Sequence, residues 1–214
     1  METPFKFKAV LLTCGLSLLP YLSSANQTWQ PHHFASDSVD EQSVLVWTKT
    51  VDGSDFKAFK GEVLINATRD NIVSVIRDTK NVPKWYYKSA YVKKLEDIAD
   101  NQSLTYSVTD LPWPVSDRDS VILATVTNEQ NGDITIIMTA KPNAYPIQEN
   151  KVRVTKLDGF WKLQKQANNQ VKVTLQLTTE PGGKIPSWLA NTMVIDMPLN
   201  SLGNLKKRAE TLAQ

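Results

Sequence analysis

Near the C-terminal third of the chain, Val171, Val173, Leu175 and Leu177 alternate with Lys172, Thr174, Gln176 and Thr178. Only an extended backbone sends successive side chains to opposite sides, so this stretch is a strand with one dry and one wet face. Such a strand is not stable alone; its apolar side needs a covering layer. The same period recurs upstream. Phe59, Gly61, Val63 and Ile65 oppose Lys60 and Glu62. Leu104, Tyr106 and Val108 oppose Thr105, Ser107 and Thr109. Ile134, Ile136 and Met138 oppose Thr135, Ile137 and Thr139. Ser43 to Val51 and Phe56 to Asn66 are expected as the first two strands, after a polar lead-in from Asn26 to Asp40. Asn131-Gly132-Asp133 is expected as a hairpin turn and Asp158-Gly159 as a turn or bulge, which makes Tyr91 to Thr179 an antiparallel meander.

Two segments change period. Ile72, Val75 and Ile76 fall at i, i+3 and i+4 behind Thr68, a residue suited to cap a helix, and the pattern ends near Lys80 before Pro83. After Gly182-Gly183, Pro186 opens a long helical stretch to about Leu212, with Leu189, Met193, Met197, Leu202, Leu205 and Ala209 along one stripe. Pro198 lies inside it and predicts a kink or break. Strands, a short helix, many strands and a long helix make an α+β fold. A twisted sheet of six or more strands curls, and one long helix covers its concave face, with the interior either filled or left as an apolar cavity.

The first eight residues include Lys6 and Lys8, and an uncharged run follows from Ala9 to about Leu22. A positive start, a short apolar core and the small residues Ser23-Ser24-Ala25 read as an export signal over residues 1–25, leaving a single domain over 26–214 in the periplasm or secreted. The single cysteine, Cys14, falls inside that leader, so disulfides and thiolate chemistry are not expected of the mature chain. Basic and acidic residues nearly balance, at 24 against 22, which argues against nucleic acid as a partner. The cluster Lys206-Lys207-Arg208 reads either as compensation of the helix dipole or as a transient contact with anionic lipid headgroups. His32 and His33 stand in the lead-in without a ligand framework, so neither a metal nor another cofactor is expected.

Trp85 within Val82-Pro83-Lys84-Trp85, the run Leu111-Pro112-Trp113-Pro114-Val115-Ser116-Asp117-Arg118-Asp119, the segment Gly159-Phe160-Trp161-Lys162-Leu163, and Glu180-Pro181-Gly182-Gly183-Lys184-Ile185-Pro186-Ser187-Trp188 occur in that order. Together they resemble the START family, the StAR-related lipid-transfer domains. The resemblance implies a helix-grip fold in which a curved antiparallel sheet and a long C-terminal helix enclose one hydrophobic ligand. It implies binding and transfer of a single lipid. A monomer without catalytic activity is expected. Sterol-binding members carry a second arginine beyond the Arg-Asp pair; Ser120 to Thr125 has none, so sterol is not favoured.

Eight residues are candidates for the ligand site. Trp85, Trp161 and Trp188 are large apolar anchors, equally at home as core packing. Tyr106 and Met138 are assigned inward by alternation, and Met193 and Met197 lie on the helix stripe, where thioethers suit either a flexible ligand or a packing gap. Arg118 either holds a ligand's polar group or pairs with Asp119, Asp117 or Asp110. An enzyme acting on an apolar substrate is the competing reading. It would draw its acid or base from Asp196, Arg118, Tyr106 or Asp110. A partner-binding domain with a filled interior is the third.

Overall fold

The computed structural model describes residues 28–32, 43–166 and 168–213. The leader with Cys14, and His33, lie outside those residues. Among the described residues ten strands form one sheet: β1 (Gln30–His32), β2 (Val44–Lys49), β3 (Ala58–Ile65), β4 (Ser89–Ala99), β5 (Gln102–Thr109), β6 (Asp117–Asn128), β7 (Ile134–Ala140), β8 (Lys151–Arg153), β9 (Lys156–Lys165) and β10 (Val171–Glu180). Their order is β1-β2-β3-β10-β9-β7-β6-β5-β4, antiparallel throughout except that β8 runs parallel beside the start of β6. The meander expected from the turns holds from β4 to β7. The short strands β1 and β8 are additions, too brief to carry a readable alternation.

Register explains the interior. β10 lies between β3 and β9, and Val173 faces Val63 on one side and Leu163 on the other. The alternating apolar residues thus form continuous rows on one side of the sheet, where Ile65, Leu163, Val173 and Leu175 are fully buried. Gly159, expected at a turn or bulge, instead sits in the middle of β9, paired with Met138 and Leu177. A Cβ there would stand 2.2 Å from the Gln176 carbonyl oxygen, so the close approach of β10 is what requires glycine.

The short helix α1 (Arg69–Arg77) starts where Thr68 Oγ1 accepts from the Asn71 N–H at 3.2 Å, and it buries Ile72 and Val75. A 3-10 turn (Val82–Lys84) with Pro83 follows and delivers Trp85 to the interior. The long helix α2 (Ser187–Leu212) is packed on β2 and β3. Leu202, Leu205 and Ala209 are fully buried, and burying a leucine contributes about 1.5–3 kcal/mol. Of the kink or break expected at Pro198, no break forms: the helix runs through it. Pro198 is itself buried against β3, where a Cβ on Gly61 would meet Pro198 Cβ at 3.0 Å and Leu202 Cδ1 at 2.5 Å. Packing on the sheet offsets the helix-breaking tendency of this proline.

Candidate ligand cavity

Along its N-terminal half α2 carries Met193 and Met197 over an aromatic group rather than over the sheet. Trp85 and Tyr86 from the 3-10 turn and Trp161 from β9 meet edge to face, with centroids 5.7 Å (Trp85–Tyr86), 6.1 Å (Trp85–Trp161) and 6.4 Å (Tyr86–Trp161) apart. The Tyr86 hydroxyl donates to the Met197 sulfur at 3.7 Å, and burial pushes its pKa up to about 12. Between this group and the inner faces of β5, β6 and β7 lies a cavity of about 430 Å³, within the range of about 300–1,000 Å³ of small-molecule sites.

Two kinds of wall enclose it. Ile122, Ala124, Val126, Ile136 and Met138 supply an apolar side, and β5 supplies a row of hydroxyls from Ser103, Thr105, Ser107 and Thr109. Exposed Arg77, Lys80 and Lys94 also belong to the lining, so the cavity meets solvent between α1 and β4. At another part of the lining Arg118, only 3% exposed, separates it from an open surface groove between Pro114–Ser116 and Gly183–Pro186.

Arg118 does not pair with the carboxylates proposed for it. Its Nε donates to the Pro181 carbonyl at 3.3 Å, Nη1 to Ser116 at 2.6 Å and Nη2 to Gly182 at 2.8 Å. The guanidinium therefore ties the 110–116 loop to the 181–186 loop, and desolvation lowers its pKa. Asp117 accepts from the Leu111 N–H, and Asp119 is taken by Arg153, whose Nε and Nη2 reach its two oxygens at 3.0 and 2.8 Å. Arg153 also donates to the carbonyls of Pro142, Tyr145 and Pro146 and so clamps the 141–150 loop onto the outer face of the sheet.

That clamp corrects the assignment of Tyr106. Leu104, Tyr106, Val108 and Val121 form a separate small core under Tyr145, whose ring centroid is 4.9 Å from that of Tyr106. Tyr106 thus points away from the cavity. Burial, followed by the Asp119 charge, pushes its pKa up to about 12. Trp188 is also corrected: it is 61% exposed in the first turn of α2 and absent from the cavity lining, while the neighbouring Leu189 takes the buried position. The other six candidates, Trp85, Arg118, Met138, Trp161, Met193 and Met197, share the cavity wall. Of the four groups weighed as acid or base only Arg118 does so; Asp196 lies outside it, its pKa raised by desolvation. His32 meets Thr48 Oγ1 at 2.8 Å on the edge of the sheet. The β5 hydroxyl row and Tyr86 escaped sequence reasoning. The row is visible in the sequence as the polar half of an alternation, and only the loop covering the other half reverses its meaning.

A curved antiparallel sheet closed by one long C-terminal helix over an internal, largely apolar cavity defines a helix-grip ligand-binding protein. The START domain pattern matches residues 34–208, and the chain belongs to the START family. It is 43% identical over 173 residues to an uncharacterised protein of Pseudomonas aeruginosa, covering 80% of this chain and 84% of that one. Among solved structures, a STAR-related lipid transfer protein from Xanthomonas axonopodis superposes with a TM-score of 0.76 at 34% identity, over 85% of this chain and 98% of that one. Human StAR-related lipid transfer protein 5 shares the fold at a TM-score of 0.74 and 15% identity, over 87% of this chain and 88% of that one.

Proposed function

We propose that the protein binds one lipid in the cavity beneath α2 and carries it between membranes. The cavity of about 430 Å³ supports this reading most directly. Each methylene sheltered from water contributes about 0.8 kcal/mol, so enclosing about a dozen of them offsets on the order of 10 kcal/mol of aqueous exposure. Arg118 is suited to face the polar end of the ligand, since main-chain carbonyls use three of its donors without neutralising its charge.

Transfer also requires contact with a bilayer. Trp113 is 92% and Trp188 61% exposed, and they stand beside the two loops that Arg118 joins. Indole rings favour the interface of a membrane, where one edge is apolar and the other wet. Export by residues 1–25 would put such a carrier in an aqueous gap between membranes, which N-terminal sequencing of the protein from its own source tests. A vesicle-to-vesicle assay with a fluorescent fatty acid tests the whole reading. Transfer should depend on protein, and the Trp113→Ala/Trp188→Ala pair should slow it while leaving uptake in solution intact. No uptake and no transfer by the unaltered protein would overturn the proposal.

A further inference from the structure

Trp85 borders a second space besides the ligand cavity. A groove of about 350 Å³ on the outer side of the 3-10 turn is formed by Lys84, Trp85, Asn204, Lys207, Arg208 and Thr211. Two side-chain donors among the described residues are buried without an acceptor, the Trp85 indole Nε1–H and the Arg208 Nε–H. Both belong to residues of this one groove. Buried donors are ordinarily paired, so two orphans on residues that share one wall call for an acceptor beyond the described residues.

Charge points the same way. The groove brings Lys84 and Arg208 together, and no acidic residue stands among the described residues of its wall. Glu210, close by along α2, is engaged elsewhere, by the Lys206 ammonium and by the Asn66 N–H at 2.8 Å. Helix-dipole compensation does not account for the cluster, because the last turn of α2 contains no basic residue and the dipole effect fades within that turn. Asn204 donates its amide to the Trp85 carbonyl at 3.1 Å and accepts from neither donor.

We propose that this groove is a binding site for a phosphate-type oxyanion, either free in solution or as the headgroup of an anionic lipid. Arg208 supplies a guanidinium edge, the indole N–H of Trp85 a second directed donor, and the exposed ammonium of Lys84 a point charge at the rim. Because Trp85 also walls the ligand cavity, an anion bound here contacts the outer side of the site that receives the apolar ligand.

The test follows the indole N–H resonance of Trp85, assigned with Trp85→Phe, in the intact protein by nitrogen-edited NMR. One arm titrates inorganic phosphate at constant ionic strength. The other compares vesicles of phosphatidylglycerol with vesicles of phosphatidylcholine, scored by co-sedimentation. A saturable downfield shift with phosphate, weakened about tenfold or more in both Arg208→Gln and Lys84→Gln, supports a free-anion site. Co-sedimentation with phosphatidylglycerol alone, lost in the same two variants, supports the headgroup form. No response in either arm, a shift that chloride reproduces, or a response unchanged in both variants overturns the site. Apolar-ligand uptake, measured on the same samples, should be unaltered by Lys84→Gln, which keeps this outcome separate from that of the cavity.

Discussion

The two halves of α2 meet the same sheet in opposite ways. Toward its C-terminal end Leu202, Leu205 and Ala209 are fully buried, and Gly61 lets the helix approach β3 until a single added Cβ would collide with Leu202. Toward its N-terminal end Met193 and Met197 look onto a void bounded by small and hydroxylated residues of β5 and β6, Ser107, Thr105 and Ala124 among them. Both halves are apolar stripes at helical spacing, so hydrophobicity alone does not separate them. The helix packs on β2 and β3, whereas the space opens where β5 and β6 present short side chains. Short side chains at that part of the sheet leave the cavity open.

The largest effects should fall on the solid half. Leu205→Ala should cost about 2–5 kcal/mol in urea or thermal unfolding. Met138→Ala, which borders empty space and forfeits fewer contacts, should cost less than half as much. Equal costs would break the contrast. Next, Thr105→Leu/Ser107→Leu should abolish uptake of a fluorescent fatty acid while leaving unfolding stability unchanged or raised, whereas Tyr106→Phe, on the opposite face of the same strand, should leave uptake untouched. Loss of uptake on changing Tyr106 alone would mean that β5 faces the other way.

A smaller effect concerns the solvent side of α2. Desolvation raises the pKa of Asp196 above its ordinary value of 3.8. The folded state therefore holds this proton more tightly than the unfolded chain does. Stability falls as pH rises from about 3.8 through the raised folded value, and the ionised carboxylate is a cost at neutral pH. Asp196→Asn should remove that decline and slightly raise stability at pH 7, as read by melting temperature across the pH range. A loss of stability at neutral pH would contradict the direction of the shift.

Much of the fold is legible because local periods persist. The α1 cap at Thr68, the helix stripe ending at Ala209, the Gly132 hairpin and the alternation in β10 each follow from a few residues. What resists is anything decided by a distant segment. Tyr106 reads as inward because it is the apolar member of its alternation, yet the 141–150 loop gives β5 a second buried face. Arg118 stands next to Asp119 in sequence, but Arg153, from β8, reaches that carboxylate first. Gly159 looks like a turn because glycine usually marks one; here a neighbouring backbone requires it. Sequence shows that a strand has two unlike faces, and only the tertiary fold decides what covers each.

The most direct measurement is native mass spectrometry of the protein purified from its own source, followed by solvent extraction and identification of what it releases. The account predicts a one-to-one lipid adduct that disappears in the Thr105→Leu/Ser107→Leu variant. A bare polypeptide mass in repeated preparations, together with no uptake of added fatty acid, would contradict it.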